Sequence, residues 1–144
     1  MRLVKQLAEF VARISKHRDE GDYDAALAEA DRAFTLVDIP REMADRVDTP
    51  TLASLLSTPD KMRIAARLFW EEGRVHEGKS DPMTAFSRYR RALELYLEAY
   101  AVEPHDDDSS AIAELARLVP AQHLDPRYRS ASKDREPGDP VPSK

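Results

Sequence analysis

The sequence predicts an all-α fold of about five or six helices, arranged as antiparallel helix pairs in a short solenoid or bundle. Three observations predict this class. A pattern of small and aromatic residues at helical spacing occurs twice, first after Gly21 and again after Ser80. No segment has the alternating apolar pattern of a strand bounded by turn residues. The chain of 144 residues, 42% of them apolar, is also long enough to bury one core.

The first helix pair is predicted over residues 3–38. Apolar residues at spacings of three and four give its first helix one apolar face, which ends near residue 20. Gly21 is expected to end this helix in the left-handed conformation, and Asp22 is expected to cap the next helix. Because the turn is tight, the two helices should be antiparallel neighbours. The small residues expected where they pack are Gly21, Ala26, Ala30 and Ala33.

A helical insert is predicted over residues 39–57. The helical pattern loosens after Pro40 and resumes only in a short leucine-rich stretch, which Thr49-Pro50 is expected to open. A hydroxyl residue followed by proline is typical of a helix start, because the hydroxyl caps free N–H groups and proline has no N–H to satisfy.

The second helix pair is predicted over residues 58–103. Thr58-Pro59 and Asp81-Pro82 mark the starts of its two helices by the same combination of a capping residue and proline. The residues expected where this pair packs are Gly73, Ala85, Tyr89 and Ala92.

The end of the chain contains one more predicted helix and a polar tail. The helix is expected over residues 110–119, after an acidic run at 106–108 that favours the positive end of a helix. Residues 1–124 should therefore form one all-helical domain. Residues 125–144 are polar and rich in proline, and we expect them to form a disordered tail.

These helix pairs resemble the tetratricopeptide repeat (TPR), in which small residues lie where the helices cross and an aromatic residue lies between them. The residues at the motif's spacing are Gly73, Ala85, Tyr89 and Ala92 in the second unit, and Ala26, Ala30 and Ala33 in the first. The two units lie farther apart than the usual ~34 residues, so they do not form a simple tandem.

The chain up to about residue 100 is also similar to an uncharacterised bacterial family of TPR-like proteins. The similarity rests on the Gly-x-Tyr turn at Gly21, on the leucine-rich insert, and on the run at residues 93–99 near the end of a long helix. It implies the fold, and no established activity comes with it.

Composition and charge exclude several classes of protein. The net charge of -5 argues against nucleic-acid binding, which depends mainly on neutralising phosphates with Lys and Arg. The absence of cysteine excludes disulfides and thiolate metal sites. No apolar run approaches the ~20 residues that cross a bilayer, so a membrane protein is not expected. These features predict a cytoplasmic protein.

The segment from Gly73 to Ser80 satisfies the P-loop pattern G-x-x-x-x-G-K-S, which raises the alternative of a nucleotide- or phosphate-binding enzyme that uses Lys79. That motif requires a strand that delivers a glycine-rich loop to the phosphates. Residues 60–77 instead have a helical pattern, and residues 78–80 are explained as a turn between helices. We therefore interpret the match as chance and predict no catalysis.

The other polar candidates have structural explanations. His17 and His76 lie at corresponding places in the two pairs, where we expect them to fill space between helices rather than bind a metal. His105 beside the acidic run lacks the spacing of a calcium loop and is expected in a solvated turn. Glu71 and Glu72 are adjacent and point about 100° apart on a helix, which does not favour paired-carboxylate catalysis. No metal or cofactor is predicted.

The resemblance to the repeat fold implies a binding groove, because there the first helix of each pair lines a concave surface. The residues that this register places in the groove are Val11, Ser15, Arg18, Arg67, Trp70 and Arg74. Arginines around a tryptophan favour a peptide that carries carboxylates. In the alternative interpretation, Trp70 packs against the insert or another subunit and the arginines are ordinary surface.

The leading hypothesis is a non-catalytic module that binds a protein or peptide, or that associates with itself. A homodimer through the apolar, tyrosine-rich face of residues 85–100 is a further alternative.

Overall fold

The computed structural model describes residues 2–133, and this part of the chain is helical and contains no strand. The all-α prediction is confirmed. The helices are α1 (Arg2–Asp19), α2 (Tyr23–Ala33), α3 (Arg41–Arg46), α4 (Thr49–Leu56), α5 (Pro59–Gly78), α6 (Pro82–Val102), α7 (Asp106–Leu118) and α8 (Pro126–Lys133). Short 3-10 turns lie at Phe34–Val37 and Ala121–His123. The described residues thus form more helices than the five or six that were predicted.

Helix α5 is the centre of the molecule. It packs along its length against α6, and it also contacts both α1 and α2, while α7 packs on the outer side of α6. Its buried apolar residues include Leu68 and Phe69, and the ring of Phe69 meets the ring of Phe34 edge to face at 5.6 Å. The core therefore joins the two predicted helix pairs in one body.

The starts of α2, α5 and α6 follow the predicted capping chemistry, whereas α7 has no side-chain cap. The carboxylate of Asp22, the hydroxyl of Thr58 and the carboxylate of Asp81 each accept a hydrogen bond of 3.2 Å from the N–H three residues later. In the insert the cap is Asp48, and Thr49 is the first residue of α4 rather than its cap. The carboxylate of Asp48 accepts a hydrogen bond of 3.0 Å from the N–H of Thr51.

The small residues named from the sequence lie where the helices pack, with one exception. The buried members of that set, all at most 1% exposed, are Ala26, Ala30, Ala33, Ala85 and Ala92. Gly73 lies directly against the ring of Tyr89. Gly21 is the exception, because a Cβ there would meet no atom within 4 Å; its φ of 77° serves the left-handed turn instead.

The insert contains two helices, α3 and α4, instead of one short stretch. Arg91 of α6 connects the end of α3 and the segment after it to the core, because its guanidinium donates hydrogen bonds to the carbonyls of Ala44 and Val47. Burial lowers the pKa of Arg91. These polar contacts come from residues distant in sequence, which explains why helical periodicity did not reveal α3.

Two predictions for the end of the chain are corrected. Helix α7 begins at Asp106 rather than at residue 110, and the acidic run forms its first turn, where the helix N-terminus stabilises negative charge. Residues 126–133 form α8, although a disordered tail was expected from residue 125. Buried Tyr128 attaches α8 to α6 through a hydrogen bond of 2.5 Å to Glu98. The rest of the predicted tail, 134–144, lies outside the described residues.

The apolar face of α6 is not available for a homodimer. Its residues are buried inside the chain, against α5 and α7, and include Ala85, Tyr89, Ala92, Leu93 and Tyr96. The suggested dimer through residues 85–100 is therefore wrong, because the face that it needs belongs to the core.

Candidate functional site

Two adjacent glutamates on α5, Glu71 and Glu72, form ion pairs with several arginine side chains. Glu71 is fully buried and Glu72 is 3% exposed. Because neighbouring residues on a helix point about 100° apart, the two carboxylates face different surroundings. Each of them meets arginines from other parts of the chain, and the two sets of contacts form separate clusters.

The arginine cluster consists of Arg18, Arg67 and Arg74, gathered around Glu71. Nε of Arg67 lies 2.9 Å and Nη1 of Arg74 lies 3.0 Å from Oε2 of Glu71. Nη1 of Arg18, from α1, lies 3.4 Å from Oε1. A buried carboxylate requires such partners, since an unpaired buried charge is costly.

Trp70 forms the floor beside the arginine cluster. The guanidinium groups of Arg67 and Arg74 lie 5.6 Å and 4.8 Å from its ring centroid, and the ring meets Tyr96 of α6 edge to face at 6.2 Å. Only 5% of Trp70 is exposed. It is therefore not a protruding anchor, because its ring packs against Tyr96 within its own helix pair.

The structure brings together all four residues that the sequence pointed to as a peptide site, namely Arg18, Arg67, Trp70 and Arg74. Val11 and Ser15 lie on α1 and are half-buried. Glu71 was not predicted to be the shared partner of these arginines. The sequence does contain an indication of this role. Glu71 is an acid within an apolar helical stretch, with Arg67 four residues before it and Arg74 three residues after it.

An open groove of about 760 Å³ extends from Arg67 of the arginine cluster, and residues of α1, α5, α6 and α7 line it. Its apolar lining residues are Leu3, Val4, Leu7, Ile64, Trp70, Tyr96 and Ala111. Charged side chains stand at its edges, among them Arg2 on the α1 side and Glu114 on the α7 side. The groove is therefore a surface with an apolar floor and charged edges.

The second cluster joins the insert to α5 through Glu72. Nε and Nη2 of Arg41 lie 2.8 Å and 2.6 Å from its two carboxylate oxygens, and Nε of Arg88 lies 3.1 Å from Oε1. Arg41 also lies over the ring of Phe69, at 4.7 Å from the centroid. Burial alone lowers the pKa of Arg41, but the hydrogen bonds to Glu72 outweigh it and raise the pKa.

His76 lies at the edge of this second cluster, in a cavity of about 480 Å³. Nδ1 of His76 is buried and has no hydrogen-bond partner among the described residues. Burial, together with the nearby positive charge of Arg88, lowers the pKa of the imidazole below 6.5. The structure thus favours the neutral ring, as expected for a residue that fills space between helices.

We expect the stability of the protein to fall in mild acid because of His76. Between its lowered pKa and 6.5, the unfolded chain binds more protons at this imidazole than the folded chain, so the free energy of unfolding decreases as pH falls through that window. Replacement of His76 with Gln should flatten this part of the curve. Urea titrations from neutral pH to about pH 5 measure the effect.

His105→Gln is the control for the histidine prediction, because the side chain of His105 is 52% exposed. The slope of its pH profile is the reference with which the slope of His76→Gln is compared. An unchanged slope in His76→Gln would contradict the prediction.

The segment from Gly73 to Ser80 lacks the geometry of a phosphate-binding loop. Residues 73–78 are the last turns of α5, and the N–H groups of Lys79 and Ser80 bond to the carbonyls of Val75 and Glu77. A P-loop has its N–H groups free for phosphates at the end of a strand. The structure instead has an interhelical turn at residues 79–80, one residue shorter than the turn expected at residues 78–80.

The described residues contain no group of three or more side chains placed to bind a metal ion. Like His76, His17 has a buried Nδ1 that makes no hydrogen bond with any of the described residues. Asp108, expected in a solvated turn, is buried, and its carboxylate lies 2.9 Å from Nε of Arg63.

Within the described chain, no helix is long and apolar enough to cross a bilayer.

A third set of polar contacts, around Glu94, was not predicted from the sequence. Buried Glu94 of α6 accepts a hydrogen bond of 2.5 Å from the hydroxyl of Thr49 and one of 3.0 Å from the N–H of Asp125. It therefore connects the insert and the C-terminal segment to the second helix pair.

Comparison of the chain with known proteins found no similar protein. The chain matches no protein-family model, and the searches of curated proteins and of solved structures gave no match.

Proposed function

We propose that this chain is a non-catalytic, TPR-like interaction module of the bacterial cytoplasm, which binds an acidic segment of a protein or peptide at the arginine cluster. The packing of α5 on both helices of the preceding pair, and the contact of Gly73 with Tyr89, support the TPR-like arrangement. The absence of cysteine is consistent with the cytoplasm.

The observation that carries the proposal is the excess of guanidinium groups over carboxylates. Arg18, Arg67 and Arg74 share the single carboxylate of Glu71, and Asp19 adds a weak contact of 3.7 Å to Arg18. The arginine side chains are still 23–37% exposed. Their positive charge is therefore only partly neutralised at the surface.

The geometry of the arginine cluster favours carboxylates as ligands. Among the contacts of the described residues, Arg67 binds Glu71 only through Nε and Arg74 only through Nη1. The other N–H groups of both side chains are left for a ligand, while Glu71 and the ring of Trp70 hold the guanidinium planes in place. Pre-ordered donors of this kind reduce the entropy lost on binding.

A peptide array tests the proposal when each acidic peptide is paired with a copy that carries Asn and Gln in place of Asp and Glu. The protein should prefer the acidic copies. Arg74→Gln should weaken binding of the best acidic peptide about tenfold or more, because a charge-assisted hydrogen bond is lost.

Arg46→Gln is the matched control, since Arg46 is exposed on α3 and belongs to neither cluster. It should bind like the unmodified chain. Equal binding of both peptide copies, or equal affinity of Arg74→Gln and Arg46→Gln, would overturn the proposal.

A further inference from the structure

The first two turns of α1 leave an apolar surface uncovered. Apolar residues repeat along this helix as a stripe, yet the only one of its residues that is buried is Ile14. Leu3 is 37% and Val4 is 63% exposed, and both line the open groove together with Leu7. An apolar projection and an apolar groove therefore lie side by side on the same face, which is the type of surface that protein interfaces use.

The two edges of this groove carry opposite charges. Arg2 stands on the α1 edge, and the first turn of α1 has no acidic residue. Asp107 and Glu114 stand on the α7 edge, and both are exposed. A ligand that fits this groove must therefore place a positive edge over α7 and a negative edge over α1.

We propose that the ligand of this groove is a second copy of the chain, in a dimer whose two-fold axis runs parallel to the groove. Such an axis turns each α1 edge over the α7 edge of the other copy, so Arg2 faces the partner's Glu114. Leu3 and Val4 then enter the partner's groove beside Ala111. Because the contact is reciprocal, both projections and both grooves are filled, and the assembly closes as a dimer.

The dimer contact goes beyond the proposed function, although Arg67 and Trp70 of the candidate peptide site also line the groove. It uses the first turns of α1 and the α7 edge, whereas Arg18 and Arg74 do not line the groove. The two inferences can therefore fail separately: Arg74→Gln tests acidic-segment binding, and the variants below test the dimer.

Analytical ultracentrifugation of the full chain, over a wide range of protein concentrations, tests the dimer. The unmodified chain should be a dimer that dissociates on dilution. Val4→Glu should raise the dimer dissociation constant about tenfold or more, because it places an unpaired charge in the partner's groove. Met83→Glu is the control: Met83 is 84% exposed at the start of α6, outside the groove, and its replacement should leave dimerisation unchanged.

Charge reversal tests the orientation of the two copies. Arg2→Glu and Glu114→Arg should each weaken the dimer, and the double variant should restore it, since each new Glu then faces the partner's new Arg. Circular dichroism of each variant shows whether its helices are intact. A monomer at every concentration, equal effects of Val4→Glu and Met83→Glu, or a double variant no better than the single ones would overturn the proposed dimer.

Discussion

Replacement of Glu72 with alanine is expected to lower the free energy of unfolding by about 3 kcal/mol, toward the lower end of the range for breaking a buried ion pair. Glu72 is 3% exposed and the side chain of Arg41 only 11%, so the variant would leave a positive charge among apolar rings. Asp45 still pairs with Nη1 of Arg41 at 2.7 Å, but Nε and Nη2 lose their partner.

Urea or thermal unfolding of Glu72→Ala measures this loss, with Glu42→Ala as the control. Glu42 lines the same cavity and is exposed, so its removal should change stability by less than about 0.5 kcal/mol. The double variant Glu72→Leu/Arg41→Met should regain only part of the loss, because an apolar pair can replace a buried ion pair but Nε of Arg88 still loses its contact with Glu72. Equal stability of Glu72→Ala and Glu42→Ala would contradict the prediction.

The sequence predicted the features of the fold that depend on nearby residues. The apolar stripes of α5 and α6 repeat at spacings of three and four, and the cap-and-proline starts at Thr58 and Asp81 need only the next three residues. The helix ends therefore lie close to the predicted ones. The same local reasoning recognised the segment after Gly73 as the end of a helix rather than a phosphate loop.

The features that the sequence did not predict depend on contacts between distant residues. Glu72 is explained by Arg41, which lies in the insert, and Glu94 is explained by Thr49 and Asp125. Helix α8 has one buried apolar side chain, Tyr128, which is too little to produce an apolar stripe. A periodic pattern reports which face of a helix is buried, but it does not report which polar side chains meet there.

The candidate site was predicted in part for the same reason. Helical register correctly placed Arg67, Trp70 and Arg74 close together on one helix, and the TPR resemblance added Arg18 from α1. Neither the register nor the resemblance indicates that these arginines share the carboxylate of Glu71. The apolar groove also went unrecognised, since it depends on how α1 and α7 lie relative to α5.

Replacement of Gly73 with alanine is expected to destabilise the protein by about 1–3 kcal/mol, although alanine is the better helix former. A Cβ at this position would lie 2.5 Å and 2.6 Å from two ring carbons of Tyr89. The ring has little room to move, because Tyr89 is 5% exposed and its hydroxyl donates to Glu77. The added methyl group must therefore push α5 and α6 apart where they cross.

Gly78→Ala provides the comparison for this crossing, and a double-mutant cycle isolates the contact. A Cβ at residue 78 would lie 2.8 Å from the ring of Tyr23, but that ring is only half-buried and can turn toward solvent, so the loss should be smaller. In a Tyr89→Leu background, Gly73→Ala should cost markedly less, since the two residues interact directly. Chemical unfolding of the four chains measures the coupling. The same cost in both backgrounds would mean that the contact between Gly73 and Tyr89 does not determine how closely α5 and α6 pack.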